Sequence, residues 1–455
     1  MQLRSQSRKS RPKPPPELAI AYRPIDSLTV DPENAKLHPD RQMRILCKAI
    51  ETYGICAPII IDRDGKIISG HARADACKRL GWESVPTIQV EHMDPAMARA
   101  FALAENRISE LGKWDDVQLV QNLKALAAID LGFSIEATGF TMGEIDLKIE
   151  GLGDLQPGAA DPADEPIAPG PSVARLGDTW ILGDHRVICA SALEQLTYEQ
   201  LLGEDRVAAV FADPPYNVRI DGHVSGKGRL KHREFVSGAG ELSGPEFTAF
   251  LSGACRLAAA FSIDGSVHYW CMDWAHIHAL LAVGAAIYDK HLNICVWTKH
   301  CGGMGGLYRS AHEMVAVYRK GSAQHRNNVE LGRFGRNRTN VWSYPGANAF
   351  LKSSEEADLI GQHPTPKPVA LVADALLDVT ARRDLVLDGF LGSGSTLMAC
   401  GRIGRRCRGI ELDPLYVDLT IRRWRRMTGE TAIRERDGKT FDELERLAIE
   451  AEAAS

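Results

Sequence analysis

The chain has 455 residues, of which 44% are hydrophobic and 25% are charged, and its formal net charge at pH 7 is −5. This length is too great for one ordinary domain, so we expect two domains, each with its own core. The sequence lacks an apolar run of the roughly 20 residues that a membrane-spanning helix needs, which argues against a transmembrane protein.

The N-terminal residues 1–16 are basic and rich in proline, and we expect a disordered tail there. No apolar stretch follows them, so they do not predict a secretory signal. None of the ten cysteines belongs to a Cys-x-x-Cys pair. We therefore expect no metal site, and reduced thiols in a cytoplasmic protein of bacterial or phage origin.

Residues 17–113 alternate strand and helix signals, which predicts a small α+β domain. In the middle, Gly70-His71-Ala72-Arg73 stands between a strand and a helix, where backbone N–H groups can hold an anion. Residues 114–150 predict a connector of short helices. The predicted strands are 25–30, 58–62, 66–69 and 85–90, and the predicted helices are 42–52, 74–80 and 95–106.

This region resembles the ParB/sulfiredoxin-like domain through an I-x-G-x-x-R turn at 68–73 and an A-x-x-x-N-R segment at 102–107. The resemblance implies a ligand loop formed by Gly70, His71 and Arg73, which partition proteins of the family use for cytidine triphosphate. His71 and Ala72 replace the usual Glu and Arg, which disfavours nucleotide binding here. A DNA-contacting or regulatory module is the favoured hypothesis, while a nucleotide-binding, nuclease or purely structural role stays open.

Residues 151–172 contain five prolines, four acidic residues and no basic residue. That composition cannot form a core and predicts an exposed linker. It separates the first domain from a second domain at 173–430, after which 431–455 predict a charged tail or helix.

The apolar run Val207–Ala212 predicts a buried strand, and Asp213-Pro214-Pro215-Tyr216 follows it directly. Two prolines make a stiff turn at the carboxyl end of the strand, where open α/β sheets place their ligands. The Asp213 side chain and the Pro214 carbonyl are two acceptors that can hold both protons of an exocyclic amino group. Tyr216 can stack on a base that has been flipped out of a duplex.

A second strand signal, 385–387, leads into a glycine-rich turn that runs from Asp388 to Thr396. Glycines let the backbone approach a ligand at the start of a helix. Glu411 ends another strand 19 residues after Gly392, as expected of an acid that binds ribose hydroxyls. A P-loop is excluded because no Gly-Lys-Ser/Thr follows, and the position of the turn late in its domain disfavours a dehydrogenase.

Together these segments resemble the β-class DNA amino-methyltransferases over about residues 175–427. Further segments that carry the resemblance include Trp297-Thr298-Lys299, His312-Glu313 and His363-Pro364-Thr365-Pro366-Lys367-Pro368. It implies an α/β fold, a circularly permuted Rossmann-like methyltransferase domain with a seven-stranded type of sheet, and S-adenosylmethionine as the cofactor. The implied cofactor-binding residues are Asp388, Phe390, Gly392, Ser393, Gly394, Glu411, His363 and Lys367, and the implied catalytic residues are Asp213, Pro214, Pro215 and Tyr216.

Asp213 favours adenine N6 as the methylated atom, because the cytosine-N4 subgroup more often has Ser before Pro-Pro. A non-catalytic ParB-like DNA-binding protein with a degenerate methyltransferase half is the alternative from another class.

Basic residues cluster at 219–233 and 319–338, which predicts contacts to double-stranded DNA, with a target-recognition region at about 321–362. A homodimer, a paired restriction enzyme and the recognised DNA sequence stay open. The predicted DNA-binding residues are Arg219, Arg229, Lys231, Arg233, Arg333, Arg336 and Arg338.

Overall fold

The computed structural model describes most of the chain, which divides into two compact units, Met1–Thr141 and Met142–Ser455. The finer domain boundaries expected from the sequence stay predictions. The predicted N-terminal tail, residues 151–161 of the predicted linker and most of the predicted target-recognition region lie outside the described residues. The described residues are 17–129, 131–150, 162–165, 167, 170–218, 240–299, 307–329, 338–344 and 366–453.

The first unit is a small α+β domain, as expected. Its sheet has the order β1-β4-β2-β3, in which β2 and β4 are parallel and the other two pairs are antiparallel. Met43, Ile59, Ile61 and Cys77 are buried between this sheet and the helices. The described elements are β1 (Ile20–Pro24), α1 (Asp40–Tyr53), β2 (Ile59–Ile61), β3 (Ile67–Ser69), α2 (His71–Arg79), β4 (Ser84–Gln89), α3 (Pro95–Leu111) and α4 (Asp116–Ala128).

The strand predicted at 25–30 is wrong. The strand lies earlier, at Ile20–Pro24, because those residues pair with β4. After Pro24 the chain turns through a short 3-10 helix, in which the Ser27 hydroxyl donates to the Pro24 carbonyl at 2.6 Å. Thr29 forms only an isolated bridge to Lys66.

The second unit is built on a ten-stranded sheet within the described residues, in the order β11-β9-β10-β8-β7-β12-β13-β6-β5-β14. The seven strands from β9 to β6 in this order run parallel except for β10. The strands are β5 (Thr179–Leu182), β6 (His185–Cys189), β7 (Val207–Ala212), β8 (Ser262–Met272), β9 (Lys290–Thr298), β10 (His312–Arg319), β11 (Val341–Ser343), β12 (Leu385–Asp388), β13 (Arg406–Glu411) and β14 (Ile433–Arg434).

Helices cover both faces of this sheet, so a central strand such as β7 is apolar along its whole length. Strand β7 shows this arrangement: Ala209 and Phe211 belong to one buried cluster, while Val210 and Ala212 belong to the cluster on the opposite face. The described helices are α5 (Met142–Glu150), α6 (Gln195–Leu202), α7 (Gly244–Ala260), α8 (Ile277–Ile287), α9 (Val369–Val379), α10 (Ser395–Arg402), α11 (Pro414–Thr428) and α12 (Phe441–Ala453).

The order of the strands confirms the expected permuted α/β fold. Strand β12, which carries the glycine-rich turn, comes late in the chain but lies at the centre of the sheet, between β7 and β13. A β-strand that enters the middle of a sheet late in the sequence is what a circular permutation of a doubly wound domain produces.

Residues just before and within the predicted linker belong to the second unit and are bonded to the rest of it. Asp146 of α5 makes a buried ion pair with Arg405 at 2.7 Å. Both carboxylate oxygens of Asp164 accept from the backbone N–H of Val369, at 3.1 and 3.2 Å. Across the described residues, no helix has the length and apolar character needed to cross a bilayer.

Candidate active site

The carboxyl ends of β7, β12 and β13 meet at one edge of the sheet, because the three strands are parallel neighbours. Asp213, Asp388 and Glu411 therefore lie at the same edge, and all three line one cleft. The sequence predicted two separate turns, and the structure brings them together. Other predicted residues that line this cleft are Pro214, Pro215, Tyr216, Lys367, Phe390, Gly392 and Ser393.

The turn after β7 is held by hydrogen bonds within it and just beyond it. The Tyr216 hydroxyl donates to Oδ1 of Asp213 at 2.6 Å. Asn217 adopts a left-handed backbone conformation with φ of 56°, which asparagine tolerates better than most residues. Its side-chain amide both donates to and accepts from the backbone of Leu242, at 2.8 and 3.1 Å. The turn after β7 is thus anchored on its C-terminal side.

A buried group of charges lies against the turn. Lys367 Nζ donates to Oδ2 of Asp213 at 2.5 Å and to Oε2 of Glu313 at 3.0 Å. Lys299 bonds the other oxygen of Glu313. The ammonium of Lys299 lies 4.7 Å from the centre of the Trp297 ring. We call Asp213, Tyr216, Glu313, Lys299 and Lys367 the polar cluster.

Sequence reasoning missed the contacts that Glu313 and Lys299 make in this cluster, and it placed Lys367 only among the cofactor-binding residues. A signal was present, because Lys299 directly follows β9 and Glu313 lies near the start of β10. Since β10 is antiparallel to β8 and β9, its start lies at the same edge as their ends. The role of Lys367 at a cofactor stays a prediction.

The glycine-rich turn after β12 has the backbone that its sequence requires. Gly392 and Gly394 have φ of 54° and 86°, in the region that favours glycine. A Cβ added to Gly394 would meet Thr420 at 2.7 Å, so this glycine also allows helices α10 and α11 to pack closely. Ser393 is buried, and its hydroxyl and carbonyl accept from Arg423 at 2.9 and 2.6 Å.

Two carboxyl groups that are largely buried flank this turn. Oδ1 of Asp388 accepts from the backbone N–H of Phe390 at 3.0 Å, and burial raises the pKa of Asp388 to about 7. The carboxylate of Glu411 accepts from the backbone N–H groups of Gly392 and Asp413 at 2.7 and 2.8 Å. Burial likewise raises the pKa of Glu411 to about 7. Both groups can bind a ligand that presents cations or hydroxyl donors.

Of the predicted DNA-binding residues, Arg338 alone lies within the described part of the chain. Arg338 is only 16% exposed and pairs with Asp374 and Asp378 of α9, at 2.9 Å each, so its charge is already balanced inside the unit. The other predicted residues, Arg219, Arg229, Lys231, Arg233, Arg333 and Arg336, lie outside the described residues, as does His363. No group of three or more potential metal ligands occurs in the described residues.

In the first unit, Gly70 precedes α2 with φ of 102°. His71 lines a cleft with Asp31 and Lys66, and its Nε2 accepts from the backbone N–H of Asp31 at 3.3 Å. The Arg73 side chain instead donates to the Pro58 carbonyl at 3.3 Å. The ligand of this loop stays a prediction.

Two family models match the chain. The model of the DNA methylases of the N6/N4 type matches residues 207–422, which include every described residue of the polar cluster and the glycine-rich turn. The model of the ParB N-terminal domain matches residues 19–107, which include Gly70, His71 and Arg73.

Individual proteins are similar to one or the other half. The type II methyltransferase M.HpaI of Haemophilus parainfluenzae is 23% identical over 254 residues, which cover 53% of this chain and 74% of that protein. The ParB-like nuclease domain-containing protein YnaK of Escherichia coli K12 is 39% identical over 72 residues, which cover 16% of this chain and 83% of YnaK. The structure of PvuII DNA methyltransferase (cytosine-N4-specific) is 15% identical, with a TM-score of 0.40, and the match covers 56% of this chain and 89% of that one.

Proposed function

The chain belongs to the DNA methylases of the N6/N4 type and carries a ParB N-terminal domain in front, and from this we propose that it methylates adenine in double-stranded DNA. The methyl group comes from S-adenosylmethionine, and the product is N6-methyladenine. The observation that carries the proposal is the single cleft that joins the Asp213–Tyr216 turn to Asp388, Gly392 and Glu411.

The residues around the glycine-rich turn fit S-adenosylmethionine. When bound, this cofactor supplies a methyl group on a positively charged sulfonium. Glu411 can accept hydrogen bonds from ribose hydroxyls, since each carboxylate oxygen that already accepts one backbone N–H has a further lone pair. Asp388 can pair with the ammonium of the methionine moiety, and Phe390 can flank the cofactor. Gly392 leaves the space that a ligand needs at the start of α10.

The residues of the turn after β7 fit the target adenine. The exocyclic nitrogen of adenine is a weak nucleophile because its lone pair is delocalised into the ring. The Asp213 carboxylate and the Pro214 carbonyl can each accept one amino proton, which favours the pyramidal nitrogen that attacks a methyl group. The Tyr216 ring can stack on the flipped base. These residues act by positioning the nitrogen, which is the main requirement of an in-line transfer.

Asp213 supports adenine over cytosine, since Ser is more frequent before Pro-Pro in the cytosine-N4 subgroup. The test is transfer of labelled methyl groups from S-adenosylmethionine to unmethylated genomic DNA, followed by digestion and identification of the modified nucleoside. We expect N6-methyladenine. N4-methylcytosine would overturn the choice of base and leave the reaction class intact, and modified-base sequencing of the same DNA would identify the recognised site.

The alternative from another class is a DNA-binding protein that has lost catalysis. The complete Asp213–Tyr216 turn and the positive φ values of Gly392 and Gly394 argue against it, because a degenerate cleft has no need of either. Calorimetric titration with S-adenosylmethionine separates the two hypotheses. A degenerate domain would show no binding, and that result would overturn the proposal.

A further inference from the structure

Both side-chain oxygens of Asp213 already have a partner inside the protein. Oδ1 accepts from the Tyr216 hydroxyl at 2.6 Å, and Oδ2 accepts from Lys367 Nζ at 2.5 Å. The proposed function needs one of these oxygens for the amino group of the target base. Each oxygen can accept a second hydrogen bond, but the internal donor and the amino group then share its charge. The contact to the base is therefore strengthened when one of the two internal hydrogen bonds moves.

Glu313 offers a second acceptor for the Tyr216 hydroxyl. Its Oε2 lies 3.2 Å from that hydroxyl, while its Oε1 is bonded to Lys299. A tyrosine hydroxyl carries one proton and can donate to only one carboxylate at a time. Because both acceptors are within reach, the proton can change partner by rotation about the C–O bond while the aromatic ring stays in place.

The charge states of the polar cluster permit this exchange. Burial alone would raise the pKa of Glu313, but Lys367 and Lys299 outweigh burial and lower this pKa to about 2, so Glu313 remains an acceptor. Burial, reinforced by Asp213 and Glu313, raises the pKa of Tyr216 well above its usual value, so the hydroxyl keeps its proton. Lys367 can stay bonded to Glu313 in both arrangements.

We propose that Glu313 is a positioning residue that receives the Tyr216 hydroxyl when the target base arrives and so frees Oδ1 of Asp213 for the amino group. This inference rests on the proposed function. In this exchange the Tyr216 hydroxyl changes its hydrogen-bond acceptor, while the Tyr216 ring serves as a stacking surface. No bond other than a hydrogen bond forms or breaks in the exchange.

A double-mutant cycle tests the exchange. Single-turnover methyl transfer, with cofactor and DNA both saturating, is measured for Glu313→Ala in the wild-type protein and in the Tyr216→Phe protein. In the wild-type background we expect a loss of about tenfold, the size of one hydrogen bond. In the Tyr216→Phe background we expect a loss of less than about twofold, because phenylalanine has no hydroxyl that needs to move.

Equal losses in the two backgrounds would overturn the inference, since a merely structural role of Glu313 does not depend on the hydroxyl. If Glu313→Ala does not fold, methyl transfer by Glu313→Gln is measured in the same double-mutant cycle. It keeps the shape and one acceptor oxygen, and we expect a smaller loss that Tyr216→Phe again suppresses. Glu204→Ala, at an exposed position before the opposite end of β7, is the control and should transfer at the wild-type rate.

The cycle also separates the two proposals. If the wild-type protein transfers methyl groups and the cycle shows no coupling, the exchange is wrong and the proposed function stands. If the wild-type protein binds S-adenosylmethionine and DNA but transfers nothing, both are wrong.

Discussion

Lys367 and Asp213 are 154 residues apart in the sequence, yet Nζ of the lysine lies 2.5 Å from Oδ2 of the aspartate. The lysine side chain is 4% exposed and the aspartate side chain 21% exposed, so water screens this ion pair poorly. The pair joins the segment before α9 to the turn after β7. It therefore ties the proposed cofactor side of the cleft to the proposed base side.

Lys367→Met should destabilise the protein, because it leaves a buried carboxylate without the cation bonded to it. We expect the free energy of unfolding to fall by about 3–5 kcal/mol, measured by urea denaturation. Lys367→Met combined with Asp213→Asn should recover part of this loss, since the uncompensated charge is then removed. A double variant no more stable than Lys367→Met would show that the charge on Asp213 is not the cause.

Asp213→Ala should keep the affinity for DNA and S-adenosylmethionine and lose methyl transfer by about 10²–10³-fold or more. The reason is that its hydrogen bond to the amino group strengthens as the nitrogen becomes pyramidal, so it belongs mainly to the transition state. Labelled-methyl transfer measures the rate, and calorimetry measures the affinities. Asp205→Ala, an exposed carboxylate before the opposite end of β7, is the matched control. Transfer by Asp213→Ala near the wild-type rate would contradict the mechanism.

Gly392→Val should abolish binding of S-adenosylmethionine, because a branched side chain fills the cleft at a residue whose φ is 54°. Gly203→Val is the matched control for backbone strain: its φ is 57°, and no atom lies within 4 Å of an added Cβ. Glu411→Ala should weaken cofactor binding by about 1–3 kcal/mol through lost hydrogen bonds. If both cleft variants bind as tightly as the wild type in calorimetry, the cofactor assignment is wrong.

Cofactor affinity should depend on pH between 6 and 8. The pKa values of Asp388 and Glu411 are both raised to about 7 by burial, so both are largely protonated at pH 6. Since the cofactor ammonium and ribose hydroxyls favour carboxylates, affinity should rise with pH, by up to roughly tenfold per group across this range. Asp388→Asn should remove part of the dependence, whereas a flat profile in the wild type would contradict it.

The free energy of unfolding of the cofactor-free protein should fall as pH rises, whereas the cofactor affinity should increase. The folded protein holds these two protons up to about pH 7, while the unfolded chain releases them near pH 4. Between those values the native state binds more protons, so these two groups lower the free energy of unfolding as pH rises. Urea denaturation of the cofactor-free protein at pH 5 and pH 7 measures the effect, and Asp388→Asn combined with Glu411→Gln should reduce it.

Replacing Arg333 and Arg336 with glutamine should weaken DNA binding and reduce the dependence of affinity on salt, with the slope falling by about 0.9 for each phosphate that is no longer bound. Arg338→Gln should instead lower thermal stability, because this arginine pairs with Asp374 and Asp378. Fluorescence anisotropy at several salt concentrations measures the slopes. An unchanged slope for the first pair would show that they do not bind phosphate.

The sequence predicted those parts of the site that depend on short segments. Apolar runs predicted β7 and β12, and the prolines and glycines after them predicted the turns, because such turns require those residues locally. The partners of Asp213 could not be predicted in this way. Lys367 reaches the aspartate because the segment before α9 arrives at the same sheet edge as the end of β7, and Glu313 reaches Lys367 because β10 starts at that edge. The order of the strands decides both contacts, and short sequence segments do not predict that order.

The same limit explains why the first strand was misplaced and why the partners of Arg338 were missed. The first strand was predicted five residues late because its position is decided by pairing with β4, and the residues at 25–30 have strand composition without that partner. The ion pairs of Arg338 with Asp374 and Asp378 of α9 could likewise not be predicted from the sequence, and its contact to DNA stays a prediction. In both cases the partners lie far away in the sequence.

The paired hydrogen bonds between Asn217 and Leu242 have a consequence for how this protein can change. They hold two residues that are 25 positions apart against each other, directly beside the Asp213–Tyr216 turn. In general, the entropy cost of joining two fixed ends of a chain grows slowly with the length between them, by about 0.6 kcal/mol for each doubling. We therefore expect changes in the number of residues between Asn217 and Leu242 to leave the turn in place.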